Sequence, residues 1–156
     1  MTPSTINMYP VGLDFAWMAV DKNQYVGLFI TAGEGPIPID HLNAPTELFE
    51  SEIEKELSKL PKICEATLLI DVPKPDSFLT PAQRGIFVFD WADVGRSYSA
   101  ATGVYECAAV PTKPLVASDL PTALAIIAKR LVFSELSFSE AIKVDMCHFL
   151  KCQSGH

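Results

Sequence analysis

Two apolar segments near the N-terminus follow the alternation expected of β-strands. The sequences DFAWMAV, residues 14–20, and YVGLFIT, residues 25–31, are rich in aromatic and β-branched residues. Only the polar residues 21–24 separate them, which predicts a β-hairpin. Apolar side chains occupy both alternating faces of each segment. We therefore expect the hairpin to be covered on both sides or to lie in the middle of a sheet.

Two later segments have helical periodicity instead. In residues 47–60 apolar positions recur every three or four residues, with Thr46 as a candidate N-cap and Pro61 as the stop. The sequence PTALAIIAKRLVF, residues 121–133, predicts a second helix that begins at Pro121. This second helix is so apolar that we expect most of it to be buried.

Shorter apolar runs predict further strands at residues 66–72, 86–91 and 103–110, and a short final strand within residues 142–146. In residues 86–91, Phe87, Phe89 and Trp91 fall on one face. A single helical turn is predicted at residues 80–84, with Pro81 in its first position. Hairpins followed by helices, without strict alternation of strand and helix, predict an α+β fold. We expect a mainly antiparallel sheet built from hairpins and packed with two main helices.

Length and composition limit the class of protein. The 156 residues, 49% hydrophobic and 20% charged, fit one globular domain over residues 1–156, with a frayed C-terminal end. A chain of this size buries roughly 69% of its unfolded surface, which is enough for a stable core without disulfide bonds or a bound metal. The sequence has no charged and apolar leader at its start and no run of about 18 apolar residues. We expect a cytoplasmic protein with no membrane contact and with reduced cysteines.

Residues suited to catalysis or metal binding are few. The C-terminal group Cys147, His148, Cys152 and His156 has the atom types that zinc prefers, but its ligands are crowded into ten residues at the chain end. We therefore expect no native metal site. His41 is a candidate base, but no nucleophile motif accompanies it, and a surface histidine is the favoured interpretation.

Carboxylates at strand ends are a further candidate site. Asp71, Asp90 and Asp93 would hold Mg²⁺ or act as acid and base if neighbouring strand ends brought them together. Aspartate is also common in turns, and that structural interpretation is favoured. The sequence thus predicts no catalytic residue and no cofactor.

Negative charge is concentrated in the first part of the chain. The formal net charge is -7, from 12 basic and 19 acidic residues, and residues 1–60 contain nine of the acidic and three of the basic ones. This balance argues against binding to a nucleic-acid backbone. Either the acidic segment is a solvated helix face, or it docks a basic protein partner. The predicted contact residues are Glu34, Asp40, Glu47, Glu50 and Glu54.

The sequence DFAWMAVDKNQYVGLFITAGEGPIP, residues 14–38, resembles the opening of small bacterial cytoplasmic immunity proteins of polymorphic toxin systems. In those proteins a hairpin with a Trp-containing strand leads into a loop of the type AGxGPIP. The resemblance implies a protein that binds and neutralises a cognate toxin. It implies inhibition by binding and supplies no catalytic residue to transfer.

Two alternatives remain open. The first is a small-molecule-binding domain or enzyme with a pocket near Trp17, Asp71, Asp90 and Trp91. The second is an oligomeric adaptor that buries residues 125–128 of the second predicted helix across a subunit interface. Each alternative places the functional residues on a different surface from the acidic segment.

Overall fold

The computed structural model describes residues 16–31, 50–70, 72, 75–92, 104–140 and 143–145. These residues form seven strands, three α-helices and one short 3-10 helix, Ala117–Asp119. The strands are β1 (Ala16–Asp21), β2 (Val26–Ile30), β3 (Ala66–Leu68), β4 (Phe87–Ala92), β5 (Val104–Pro111), β6 (Val132–Phe133) and β7 (Lys143–Asp145). The helices are α1 (Glu50–Ser58), α2 (Asp76–Ala82) and α3 (Thr122–Ala128). In these ranges no helix is both long enough and apolar enough to cross a membrane.

All seven strands belong to one sheet. Their order is β3-β5-β4-β2-β1-β6, and β7 also pairs with β5. The pairs β1–β2, β4–β5, β3–β5 and β5–β7 are antiparallel, whereas β2–β4 and β1–β6 are parallel. The predicted α+β class with a mainly antiparallel sheet is confirmed. The sheet is mixed and not built from hairpins alone, because β1 and β2 each gain a parallel neighbour from later in the chain.

The first hairpin lies in the middle of the sheet. β1 and β2 pair in a register that places Trp17 opposite Phe29 and Met18 opposite Leu28. β4 flanks β2 on one side, and β6 flanks β1 on the other. Every residue of both strands is buried. The expectation of a central hairpin covered on both faces is confirmed.

A buried carboxylate shapes the turn between β1 and β2. Asp21 is completely buried, and its Oδ1 accepts hydrogen bonds from the backbone N–H groups of Asn23 (2.8 Å) and Tyr25 (2.9 Å). Its Oδ2 accepts a hydrogen bond from the backbone N–H of Phe138 at 2.7 Å. Gln24 has a left-handed φ of 71° within the turn. Asp21 therefore both closes the hairpin and attaches it to a distant segment.

One face of the sheet packs against all three helices. α1 contributes Ile53 and Leu57, α2 contributes Phe78 and Ala82, and α3 contributes Leu124, Ile127 and Ala128. We call this cluster, together with Met18, Leu28 and Val88 of the sheet, the aliphatic core. The predicted inward face of the first helix is confirmed at Ile53 and Leu57. Its predicted cap Thr46 and its first residues, 47–49, lie outside the described residues.

The opposite face of the sheet is aromatic. Trp17, Phe29 and Phe89 align across β1, β2 and β4. Their rings stack, with centroids 4.1 Å apart for Trp17–Phe29 and 4.9 Å apart for Phe29–Phe89. Tyr105 of β5 stands perpendicular to Trp17, and its hydroxyl oxygen accepts a hydrogen bond from Trp17 Nε1 at 3.1 Å. We call this cluster, with Phe87, Trp91, Phe133 and Phe138, the aromatic core.

Phe138 fills a hollow that Gly27 leaves in the aromatic core. A Cβ atom built on Gly27 would lie 2.8 Å from Cε2 and 2.9 Å from Cζ of Phe138. The Phe138 ring is 1% exposed, and its centroid is 5.9 Å from that of Phe29 and 5.4 Å from that of Phe89. Residue 27 therefore has to be glycine for Phe138 to reach the sheet.

The second predicted helix is shorter than expected. Residues 121–133 were predicted to be helical, but α3 ends at Ala128. Val20 N–H then donates to the carbonyl of Leu131 at 3.0 Å, and β6 pairs in parallel with the end of β1. The prediction is wrong for residues 129–133. The reason is that pairing with β1 satisfies their backbone groups and buries Leu131 and Phe133, which outweighs their helix propensity.

The prediction that this helix lies mostly buried is only partly correct. Leu124, Ile127 and Ala128 pack into the aliphatic core. Ile126, in contrast, is 56% exposed, and Val132 of β6 is 44% exposed. α3 thus presents one apolar face to its own chain and leaves an isoleucine at the surface.

α2 begins earlier than predicted and adds a third helix to the two expected. The predicted turn at residues 80–84 placed Pro81 first, but the helix runs from Asp76 to Ala82 and contains Pro81 in its last turn. The carbonyl of Pro75 starts the helix by accepting hydrogen bonds from the N–H groups of Phe78 and Leu79. Pro81 costs one intrahelical hydrogen bond, and a helix that ends one residue later tolerates that loss.

The remaining strands differ in how well they were predicted. β4 and β5 lie within one residue of the expected ranges, the shared face of Phe87, Phe89 and Trp91 is confirmed, and β7 confirms the final short strand. The buried strand predicted at residues 66–72 is wrong in extent. β3 has three residues at the end of the strand order, and Leu69 just after it is 52% exposed. An edge position of this kind leaves one face of a strand without cover.

We expect Gly27→Ala to destabilise the protein by about 1–3 kcal/mol, because the new methyl group overpacks the aromatic core against Phe138. In an unconstrained strand the same change is stabilising, since glycine carries an entropic cost. Urea unfolding monitored by tryptophan fluorescence measures the effect. In a Phe138→Leu background the same substitution should cost less. A Gly27→Ala variant as stable as the parent would contradict this packing account.

We expect Asp21→Ala to destabilise the protein by at least about 3 kcal/mol, because three backbone N–H groups lose their acceptor and each buried unsatisfied donor costs about 1–3 kcal/mol. Asp21→Asn keeps one acceptor oxygen and should cost less. Thermal and urea unfolding compare the variants, and hydrogen exchange at the Phe138 amide reports the lost contact. Unchanged exchange at Phe138 in Asp21→Ala would show that Asp21 does not hold this segment.

Candidate functional site

The outer face of α1 carries Glu54, one of the five predicted contact residues. Ile53 and Leu57 are 2% and 0% exposed and hold the helix against the aliphatic core. Helical geometry then turns Glu54 and Ser58, which are four residues apart, toward solvent on a common face. Both side chains are exposed in the structure. The orientation of Glu54 is therefore set by the buried side of its own helix.

α1 and α2 lie side by side and line a groove of about 330 Å³. Glu54, Lys55 and Ser58 of α1 line one side, and Asp76 and Thr80 of α2 line the other. We call this feature the α1–α2 groove. Two carboxylates against one ammonium group leave it net negative, and the two hydroxyls add hydrogen-bonding capacity. Such a lining suits a cationic or amide-bearing group of a partner.

The ion pair next to Glu54 does not involve the Glu54 carboxylate. Lys59 Nζ lies 3.1 Å from Glu56 Oε2, and both side chains are about half exposed. A surface ion pair of this type contributes roughly 0–1 kcal/mol. Within the part of the chain that the structure describes, Glu54 itself forms no ion pair.

The structure describes the side chain of only one of the five predicted contact residues. Glu34, Asp40 and Glu47 lie outside the described residues. Glu50 is the first residue of α1, and its side chain is likewise outside the description. The structure therefore bears on this predicted surface only at Glu54.

Asp76 and Thr80 were not among the predicted contact residues. A signal for Asp76 was present, because an acidic residue in the first turn of a helix is favoured by the helix dipole. The signal was missed because that helix was predicted to begin at residue 80. The proximity of Asp76 to Glu54 depends on the packing of α2 beside α1, which no local pattern encodes.

A second candidate is a pair of buried carboxylates in the sheet. The register of β4 and β5 sets Asp90 directly opposite Glu106, and their exposed fractions are 5% and 4%. Each of the two has an interaction partner. Paired carboxylates are the groups used for acid–base chemistry and for binding hard cations. Asp90 was a sequence candidate, whereas Glu106 was not.

The alternative pocket near Trp17, Asp71, Asp90 and Trp91 is not assembled as expected. Trp17 and Trp91 both belong to the aromatic core. Successive residues of a strand point to opposite faces, so Asp90 lies on the other side of the sheet from Trp91. Asp71 and Asp93 are outside the described residues. Of the residues named in this alternative, Asp90 is the one that lies beside another carboxylate, that of Glu106.

Across residues 16–31, 50–70, 72, 75–92, 104–140 and 143–145, no group of three or more His, Cys, Asp or Glu side chains is arranged to hold a metal ion. His41 and the C-terminal residues Cys147, His148, Cys152 and His156 lie outside these ranges.

Two of the four cysteines are described, and both are free thiols. Cys64 Sγ lies 3.4 Å from the carbonyl oxygen of Ala82. Cys107 follows Phe89 in the row of side chains across the sheet and is 5% exposed. Burial raises the pKa of the Cys107 thiol from the usual 9.0 to about 12, partly offset by a hydrogen bond to the carbonyl of Ala109.

No family model, curated protein or solved structure matches this chain.

We expect Cys107 to resist alkylation in the folded protein at pH 8, because burial suppresses both its thiolate fraction and its access to reagent. Iodoacetamide treatment and peptide mass mapping should show modification of Cys107 only after unfolding in urea. Rapid labelling of folded Cys107 would contradict this expectation.

The raised pKa of Cys107 also predicts how stability depends on pH. The buried neutral thiol contributes to stability below the pKa of the unfolded state, and this contribution is lost as the pH rises from about 9 toward 12. Stability should therefore fall more steeply above pH 9 in the parent than in Cys107→Ala.

Proposed function

We propose that this protein is a non-enzymatic immunity protein of the bacterial cytoplasm that binds and neutralises a cognate toxin. The contact surface includes the outer face of α1 and the α1–α2 groove. The observation that carries the proposal is Glu54, an exposed carboxylate on a helix anchored by Ile53 and Leu57, which faces Asp76 across the groove. The toxin surface that it meets is basic.

The distribution of charge supports this assignment. Between Glu34 and Glu56 the chain has seven carboxylates and one lysine. A surface with one dominant sign of charge accelerates the encounter with a partner of opposite sign and fixes its orientation. An inhibitor gains from fast association, since the toxin must be blocked before it acts.

The packing of α1 against the core supports it as well. α1 is seated on a sheet whose central strands are buried on both faces. A binding surface on such a base loses little conformational entropy when a partner docks. The resemblance of residues 14–38 to immunity proteins is consistent with the same role.

Co-expression with the product of the adjacent open reading frame tests the proposal directly. We expect the two proteins to co-purify as a complex, and expression of this chain to restore growth of cells that produce the toxin. A neighbouring gene product that neither co-purifies nor arrests growth would count against the proposal.

We predict that Glu54→Lys weakens binding of this partner by about ten-fold or more, and that the loss is larger at low salt because screening is weaker there. The matched control is Glu135→Lys, which makes the same charge change at an exposed turn after β6. The control should change the dissociation constant by less than about two-fold. Surface plasmon resonance at two salt concentrations measures both variants.

The outcomes of this comparison separate two causes. Equal weakening in both variants would indicate that only net charge matters. No weakening in Glu54→Lys, with the complex still formed, would place the contact surface away from α1. Far-ultraviolet circular dichroism and thermal unfolding verify that both variants are folded.

The Asp90–Glu106 pair favours a second candidate function, a small-molecule-binding domain or enzyme. Both carboxylates are more than nine-tenths buried and lie opposite each other in the sheet, and buried carboxylates occur at functional sites as well as in structural networks. This function predicts that Asp90→Asn and Glu106→Gln abolish a ligand-induced thermal stabilisation found in a metabolite and divalent-cation screen. Absence of any stabilising ligand for the parent protein would remove this candidate.

A further inference from the structure

We draw no further inference here: the strongest candidate, the exposed apolar side chains of Ile63 and Leu69 on either side of the edge strand β3, carries none because nothing in the structure shows what covers them.

Discussion

The burial of both faces of the β1–β2 hairpin is the constraint on which the rest of the structure depends. Trp17 and Phe29 need an apolar cover on one side, and Met18 and Leu28 need one on the other. The helices supply the second cover, and the segment from Leu131 to Phe138 contributes to the first. A hairpin of this composition is not stable alone, so its stability comes from elements far away in sequence. Asp21 links the hairpin to one of these covers, because its carboxylate closes the turn and also holds Phe138 over the aromatic face.

Much of the fold could be predicted because side-chain periodicity is a local property. The central hairpin, the inward face of α1 and the alternation of β4 all follow from spacing within one segment. The end of α3 could not be predicted in this way. The sequence PTALAIIAKRLVF is compatible with a helix throughout, and only the availability of the β1 edge decides that Val132 and Phe133 form a strand. The parallel pairs were missed for the same reason, since parallel pairing joins segments with no turn between them.

The residues of the candidate sites also differ in whether a local pattern could predict them. The exposure of Glu54 follows from the positions of Ile53 and Leu57, so periodicity was sufficient to place it at the surface. Its neighbour Asp76 and the pairing of Asp90 with Glu106 depend on which elements become adjacent. The pairing of Asp90 with Glu106 also depends on a shift of the β4–β5 register between Val88 and Phe89. Charge patterning therefore predicts a surface, whereas the groups that share a site are determined by the tertiary fold.

The attachment of Phe138 to Asp21 spans 117 positions, and this has a consequence for biosynthesis. The ribosome delivers the hairpin well before the strand and ring that finish its aromatic side, because Phe138 follows Asp21 by 117 positions. Throughout that interval the nascent chain exposes Trp17 and Phe29, and folding is delayed by the long loops that must close. A chain released before Phe133 and Phe138 have been added would keep this aromatic face exposed. Such a chain would bind chaperones or aggregate.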